Sequence, residues 1–275
     1  MATYQSSNQH LCILVGSIAA SGTCSFAVTD RSVSNTYVGK SNWEADAFSS
    51  VSIAGLYAVD QLLSEAEIFK ITSKMYQGGD TLQACETCPA DTLSLQGSTS
   101  ETDCECLAGS YKSMNMADSK ALTLVPGRAE ISTLANRGYF LGTTTAVFDP
   151  TAGPPGANGA VTFDRVSEQH IDGGAHTFDI ATHGFTAVLV VMFTGTPVSN
   201  ERVFDFGNGR RDNNIYIIRA GTGTQLKFAI WNGASGCYLS SIEGTLVQDT
   251  WLTVVATYNP NDTTMRLRVG NNIAT

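Results

Sequence analysis

Phe185-Thr186-Ala187-Val188-Leu189-Val190-Val191-Met192-Phe193 is the longest apolar run of the chain, and Arg202-Val203-Phe204-Asp205-Phe206-Gly207-Asn208-Gly209 follows it. The run is about half the length that a membrane-spanning helix requires, and it is bounded by Gly184 and Thr194, so it reads as a buried strand rather than a span. Working outward, further strands are expected at 160–163, 203–206, 214–219, 225–231, 251–258 and 265–269, with Gly, Asn or Asp at nearly every break. Strands of this length, spaced by these turn signals, predict an all-β antiparallel sandwich.

Composition agrees with that expectation. Of 275 residues 43% are apolar, enough for a core, and only 15% are charged. Abundant Gly, Ser, Thr and Asn suit strands and turns better than long helices. The formal charge of -9 and the absence of a basic run exclude a phosphate-backbone partner, so no nucleic acid is expected. No segment is long and apolar enough to insert in a membrane as a helix. Ala2-Thr3-Tyr4-Gln5-Ser6-Ser7 has neither the basic start nor the apolar core of a secretory signal. Seven cysteines, four of them between Cys85 and Cys106, nevertheless point to an oxidising compartment or a metal site. Both observations fit a fragment of a longer, extracellular or cell-surface protein.

An internal repeat supports this. Ala2-Thr3-Tyr4 and Val15-Gly16 align without a gap with Ala256-Thr257-Tyr258 and Val269-Gly270, at an offset of 254 and with six identities in twenty positions. Asn8 falls opposite Asp262 in a polar turn, so both copies read as strand, turn, strand. The competing account is two unrelated hairpins of similar composition. A true repeat makes the chain one period of a tandem array, with half a domain at each end.

Three segments follow: 1–78, 79–120 and 121–275. In the first, Tyr37 to Trp43 and the apolar Val51 to Val59 run precede Ser64-Glu65-Ala66-Glu67. Here the Ser caps a short helix and the Glu three residues on reaches back to it. The second holds Cys85-x2-Cys88-Pro89, Cys104-x-Cys106 and Gly109-x-Tyr111. Such a short, polar stretch needs covalent staples to order itself. A zinc site of four cysteines is the alternative, although Cys-x-Cys is a poorer tetrahedral clip than Cys-x2-Cys. Four cysteines allow three pairings, and position favours Cys88 with Cys104.

The first and third segments resemble laminin-G-like (concanavalin A-like jelly-roll) domains. The motifs are Val161-Thr162-Phe163-Asp164, Gly184-Phe185-Thr186, the Arg202 to Gly209 run and Trp251 before Val254-Val255-Ala256-Thr257-Tyr258. Arg31, Tyr37-x-Gly39-x-Ser41 and Leu63-Ser64-x-x-Glu67-Ile68 supply the closing elements of the family, in the first segment instead of the third. The second segment resembles epidermal-growth-factor-like and ephrin-receptor-like cysteine repeats. The resemblance implies an antiparallel jelly roll with a small disulfide-rich module. It also implies extracellular recognition or adhesion, non-catalytic, towards a glycan or an extracellular protein ligand. A carbohydrate-binding portion of a larger carbohydrate-active enzyme and a purely structural array are the rivals.

The sequence carries little sign of catalytic chemistry. No alternating acidic strand of the glycosidase type occurs, and no nucleophile elbow, phosphate loop or dinucleotide fingerprint. Laminin-G-like domains often hold calcium at a rim, and Asp205, Asn208, Asp212 and Asn213 form the best oxygen-rich candidate, with turn-making as the plain alternative. Arg210-Arg211 could meet an acidic glycan or form a solvated loop tip. His170, His176 and His183 read as polar residues at strand ends. Asn261-Asp262-Thr263 is a glycosylation sequon in a predicted loop. Cys237 lacks a partner in its own segment. The equivalent of Cys24 one repeat on would be position 278, so Cys24 or Cys12 is expected to substitute if the two half-domains meet. They should meet, because two incomplete pieces each expose strand edges and apolar faces, and 26–71 is expected to dock on the sheet formed after 121.

Overall fold

The computed structural model describes residues 18–76 except 45, 121–124, 143–144, and 146–271 except 156 and 158. The chain is mostly β, with antiparallel sheets. From the first segment come β1 (Ile18–Thr23), β2 (Arg31–Val33), β3 (Asn35–Val38), β4 (Val51–Val59) and helix α1 (Glu65–Tyr76). Short strands follow: β5 (Ala121–Leu124), β6 (Thr143–Thr144), β7 (Val147–Asp149), β8 (Ala160–Phe163), β9 (Ile171–Asp172) and β10 (His176–Phe178), then the single turn α2 (Ile180–His183). The long strands close the chain: β11 (Phe185–Phe193), β12 (Arg202–Gly207), β13 (Ile215–Arg219), β14 (Leu226–Asn232), β15 (Ser235–Ser240), β16 (Leu252–Asn259) and β17 (Thr264–Asn271).

Among the described residues these build two large sheets and a two-stranded ribbon, β10-β2. One sheet runs β1-β17-β16-β11-β4-β8-β7, with β5 also on β4, and the other runs β15-β14-β13-β12-β3-β9-β6. A single apolar core joins them: Phe185, Leu189, Phe193, Val254 and Leu267 of the first sheet cluster with Phe204, Phe206, Ile217 and Phe228 of the second. Phe204 and Phe206 stack at 4.5 Å between centroids, and Phe206 stacks on Phe178 at 5.6 Å.

Strand β11 shows why its sequence does not alternate. Its odd-numbered residues enter the shared core, while Val188 packs on the other face with Val59, Leu63, Ile68 and Val255, beneath α1. A strand buried on both faces reads as a continuous apolar run. Gly55 permits the close approach of the helix, since a Cβ there would lie 2.6 Å from the Met75 side chain. The start of α1 is the expected capping box: Ser64 N–H donates to Glu67 Oε2 at 2.7 Å and Glu67 N–H donates to Ser64 Oγ at 3.3 Å. Glu65 then clips the helix to β17 through Arg268, and that partner holds the Glu65 carboxyl below its ordinary range.

The described residues of the first segment, 18–76, pair with strands of the third. Strand β4 pairs with β11 along its whole length, from Val59 opposite Thr186 to Val51 opposite Phe193, and β3 pairs with β12. Strand β1 adds to β17 at the edge. A disulfide joins Cys24, just past β1, to Cys237 on β15, with Cα atoms 5.2 Å apart across 213 positions of sequence. It therefore ties the edge of one sheet to the edge of the other.

Candidate functional site

Register places a line of side chains on the outward face of the seven-stranded sheet. Opposed residues in an antiparallel ladder point to the same side. The pairs Tyr238↔Ala229, Ala229↔Tyr216, Tyr216↔Asp205, Asp205↔Tyr37 and Tyr37↔Asp172 therefore line up across six strands. Trp231, two residues from Ala229 on β14, shares this face and stands opposite Gly236. The indole lies across the glycine: a Cβ at Gly236 would sit 2.5–2.7 Å from three of its ring carbons. Its N–H donates to the Tyr216 hydroxyl at 2.9 Å.

A loop following β3 brings Trp43 edge-on to Tyr216, with centroids 6.4 Å apart. Asp205, fully buried, holds that loop down. Its Oδ2 accepts from the Asn42 backbone N–H at 3.1 Å, and its Oδ1 accepts from Asn42 Nδ2 at 3.2 Å and Asn214 Nδ2 at 2.9 Å. Arg202 completes the hub, with Nε 3.2 Å from Asp205 Oδ2 and Nη2 2.8 Å from Asp46 Oδ2. Its guanidinium sits 4.5 Å from the Tyr216 ring centre and 5.1 Å from that of Trp43. Burial pushes the Tyr216 hydroxyl pKa up, against the opposing field of Arg202.

A second buried guanidinium supports the site from below. Arg31 on β2 donates through Nη1 to the Trp231 carbonyl and, at 3.4 Å, to Asn213 Oδ1. Burial lowers its pKa to about 10, opposed by the fields of Tyr258 and Asp212. Above the sheet, the exposed Arg210 and Arg211 lie 5.6 Å from the Trp43 ring and 5.0 Å from the Trp231 ring. Tyr238, 59% exposed, has Lys227 Nζ at 4.9 Å. The result is a half-exposed aromatic shelf, fixed by a buried polar hub and edged with cations. Such a surface suits a ring with one apolar face and polar or acidic substituents at its rim.

The residues singled out as a calcium set are engaged by protein partners. Asp205 is turned into the hub. Asn208 spends both ends of its amide on β2 and the residue after it: Oδ1 accepts from Ser34 N–H at 2.5 Å and Nδ2 donates to the Ser32 carbonyl at 3.0 Å. Asp212 is exposed, and its backbone carbonyl accepts from Asn208 N–H at 2.9 Å. Among the described residues no group of three or more His, Cys, Asp or Glu could hold a metal.

The histidines have separate surroundings. His170 lies 5.5 Å from the Phe48 ring, His176 lies 4.9 Å from that of Phe178, and His183 Nδ1 is 3.2 Å from Asp179 Oδ2. Asn261 is exposed in the loop between β16 and β17. Cys12, Cys85, Cys88, Cys104 and Cys106 lie outside the described residues, as does the whole cysteine-rich module.

Trp43, Trp231, Tyr216 and Tyr238 are not among the site residues expected from sequence. The available signal was that the outward face of β13 and β14 carries Tyr216, Ile218, Ala229 and Trp231 beside a single charge, Lys227. No family model, curated protein or solved structure matches the chain.

Proposed function

We propose that this chain is an extracellular recognition module, non-catalytic, with laminin-G-like jelly-roll architecture, and that it binds a glycan on the shelf around Trp231. The observation that carries this reading is the indole laid flat on Gly236, with Arg211 5.0 Å from its centre. A pyranose ring presents C–H groups on one face, which stack on an indole, while its hydroxyl or carboxylate substituents meet the flanking arginines. The Cys24–Cys237 disulfide and the exposed sequon at Asn261 support an oxidising, extracellular setting. In this reading the cysteine-rich module is a spacer between sandwich domains.

The test is a glycan array with the full chain, followed by titration of any hit against Trp231→Ala and Gly236→Val. Saturable binding that both substitutions weaken at least tenfold supports the shelf. Saturable binding that neither changes moves the site elsewhere, and silence across all glycan classes favours a structural array.

A further inference from the structure

Cations on this molecule are used in two ways. Arg165, Arg202, Arg219 and Arg268 are each paired with a carboxylate. Four others lie over aromatic rings: Lys227 at 4.9 Å from the Tyr238 centre, Arg211 at 5.0 Å from Trp231, Arg210 at 5.6 Å from Trp43 and Lys40 at 4.5 Å from Tyr37. None of these four is in an ion pair among the described residues. A ring holds a cation through its face and leaves N–H groups for a further acceptor.

The four pairs follow one line. Tyr238 is on β15, Trp231 on β14, Trp43 stands against Tyr216 of β13, and Tyr37 is on β3, so the rings occur in the order of the strands. From β15 to β3 is four strand spacings of about 4.8 Å, roughly 19 Å. Beyond the Asp205 hub, Tyr37 is the centre of a separate group. Lys40 Nζ also lies 5.6 Å from the Phe48 ring centre, and His170 stands edge-on to Tyr37 at 6.0 Å. Tyr37, Lys40, Phe48 and His170 are all half-buried, so the group has an open side. Asp172, opposite Tyr37, is turned to its own loop and accepts from Gly174 N–H at 2.9 Å.

We propose, resting on the glycan reading of the shelf, that the group around Tyr37 is a second binding station and that one linear acidic polysaccharide lies across the strands from Tyr238 to Tyr37. Its sugar rings meet the aromatics, and its carboxylates or sulfates meet Lys227, Arg211, Arg210 and Lys40. A pyranose is about as long as one strand spacing, so a single sugar reaches one station and only a chain reaches both. The charge of the ligand follows from the contrast with the rest of the molecule. The chain has a net charge of -9, yet this line carries cations without carboxylate partners, and an acidic ligand supplies the acceptors that the protein does not.

Calorimetric titration of the full chain tests this with three size-fractionated series: oligogalacturonates, sulfated galactans and neutral galactans of the same lengths. In at least one acidic series the hexasaccharide should bind about tenfold tighter than the disaccharide, or more, because it engages both stations. The neutral series should bind about tenfold weaker at each length. Lys40→Gln should weaken the acidic hexasaccharide about threefold or more, and Lys40→Arg should restore it. The disaccharide, held at Trp231, should be unchanged by either, which also shows that the variants are folded. A hexasaccharide no tighter than the disaccharide, or a loss on Lys40→Gln that is the same at both lengths, refutes the second station. Neutral oligosaccharides that bind as well as acidic ones and depend on Trp231 leave the shelf a glycan site and sink the acidic chain. Silence of both acidic series refutes the proposal, and the glycan reading then stands or falls on the array. A single-stranded oligonucleotide that binds through Lys40 where the glycans do not gives this face to a different polymer and also refutes it.

Discussion

Cutting the Cys24–Cys237 bond is expected to cost a large share of a typical domain's stability. The bond closes 213 positions of sequence. With chain entropy scaling as the logarithm of loop length, a loop of this size restricts the unfolded chain by roughly 18 cal/mol/K, or about 5 kcal/mol at 25 °C. Typical domains have about 5–15 kcal/mol in total. The fold should survive near neutrality as a marginal species, because β1 is still hydrogen-bonded to β17 and β15 to β14. The assay is equilibrium urea unfolding of the Cys24→Ala/Cys237→Ala variant beside the parent, followed by tryptophan fluorescence from Trp43, Trp231 and Trp251. A fall of 3–6 kcal/mol is expected, as a lower midpoint with a modest rise in slope from a less restricted unfolded state. A loss under about 1 kcal/mol would show that the unfolded chain holds these two ends together without the bond, and the entropy argument would fail.

Asp205→Ala should cost about 3–5 kcal/mol by denaturation, because it leaves Arg202, Asn42 and Asn214 facing a buried void; binding at Trp231 should fall with it as the Trp43 loop loosens. Ser64→Ala removes the cap of α1 and should cost about 1 kcal/mol, read as a shifted urea midpoint with the sheet signals unchanged. Glu65 has a folded pKa below its unfolded one, so its contribution is present above the unfolded value and is lost as pH falls through the folded value. Exposure screens the pair, so the stability difference between parent and Glu65→Gln should stay under about 1 kcal/mol near neutrality and vanish once the carboxyl is protonated in the folded state.

Much of the fold was legible because its long strands carry the signal in their own residues. Phe185 to Phe193 and Val51 to Val59 announce themselves, and so does the Ser64-Glu67 box. The repeat narrowed the partner of Cys237 to Cys24 or Cys12, and the structure joins it to Cys24. Strand β15, Ser235-Gly236-Cys237-Tyr238-Leu239-Ser240, was not, since two serines and a glycine read as loop and its place depends on the ladder from β14. Two-residue strands such as β6 and β9 exist only through their neighbours. The shelf was illegible for a deeper reason: its line runs across strands, joining Tyr37 to Asp205 and Asp205 to Tyr216, and lateral register cannot be read from one strand at a time. Asp205 drew attention as a metal ligand because Asp and Asn build both metal cages and hydrogen-bond hubs. Burial beside Arg202 decides for the hub.

The amide of Asn208 has a chemical consequence with time as its variable. Asn208 is followed by Gly209, the dipeptide in which the next backbone nitrogen attacks the side-chain carbonyl most readily, converting the amide to a carboxylate. While that amide bridges Ser34 N–H and the Ser32 carbonyl, it closes the outer edge of β2 as a neighbouring peptide group would, and the grip restrains the attack. After conversion the atom facing the Ser32 carbonyl is an oxygen without a proton, and the two repel. The edge of the ribbon then opens, exposing a strand ready to recruit another. Ageing at this single bond would be slow at first and faster in chains already loosened, so old preparations should accumulate a more acidic form that associates, with the charge change mapping to Asn208.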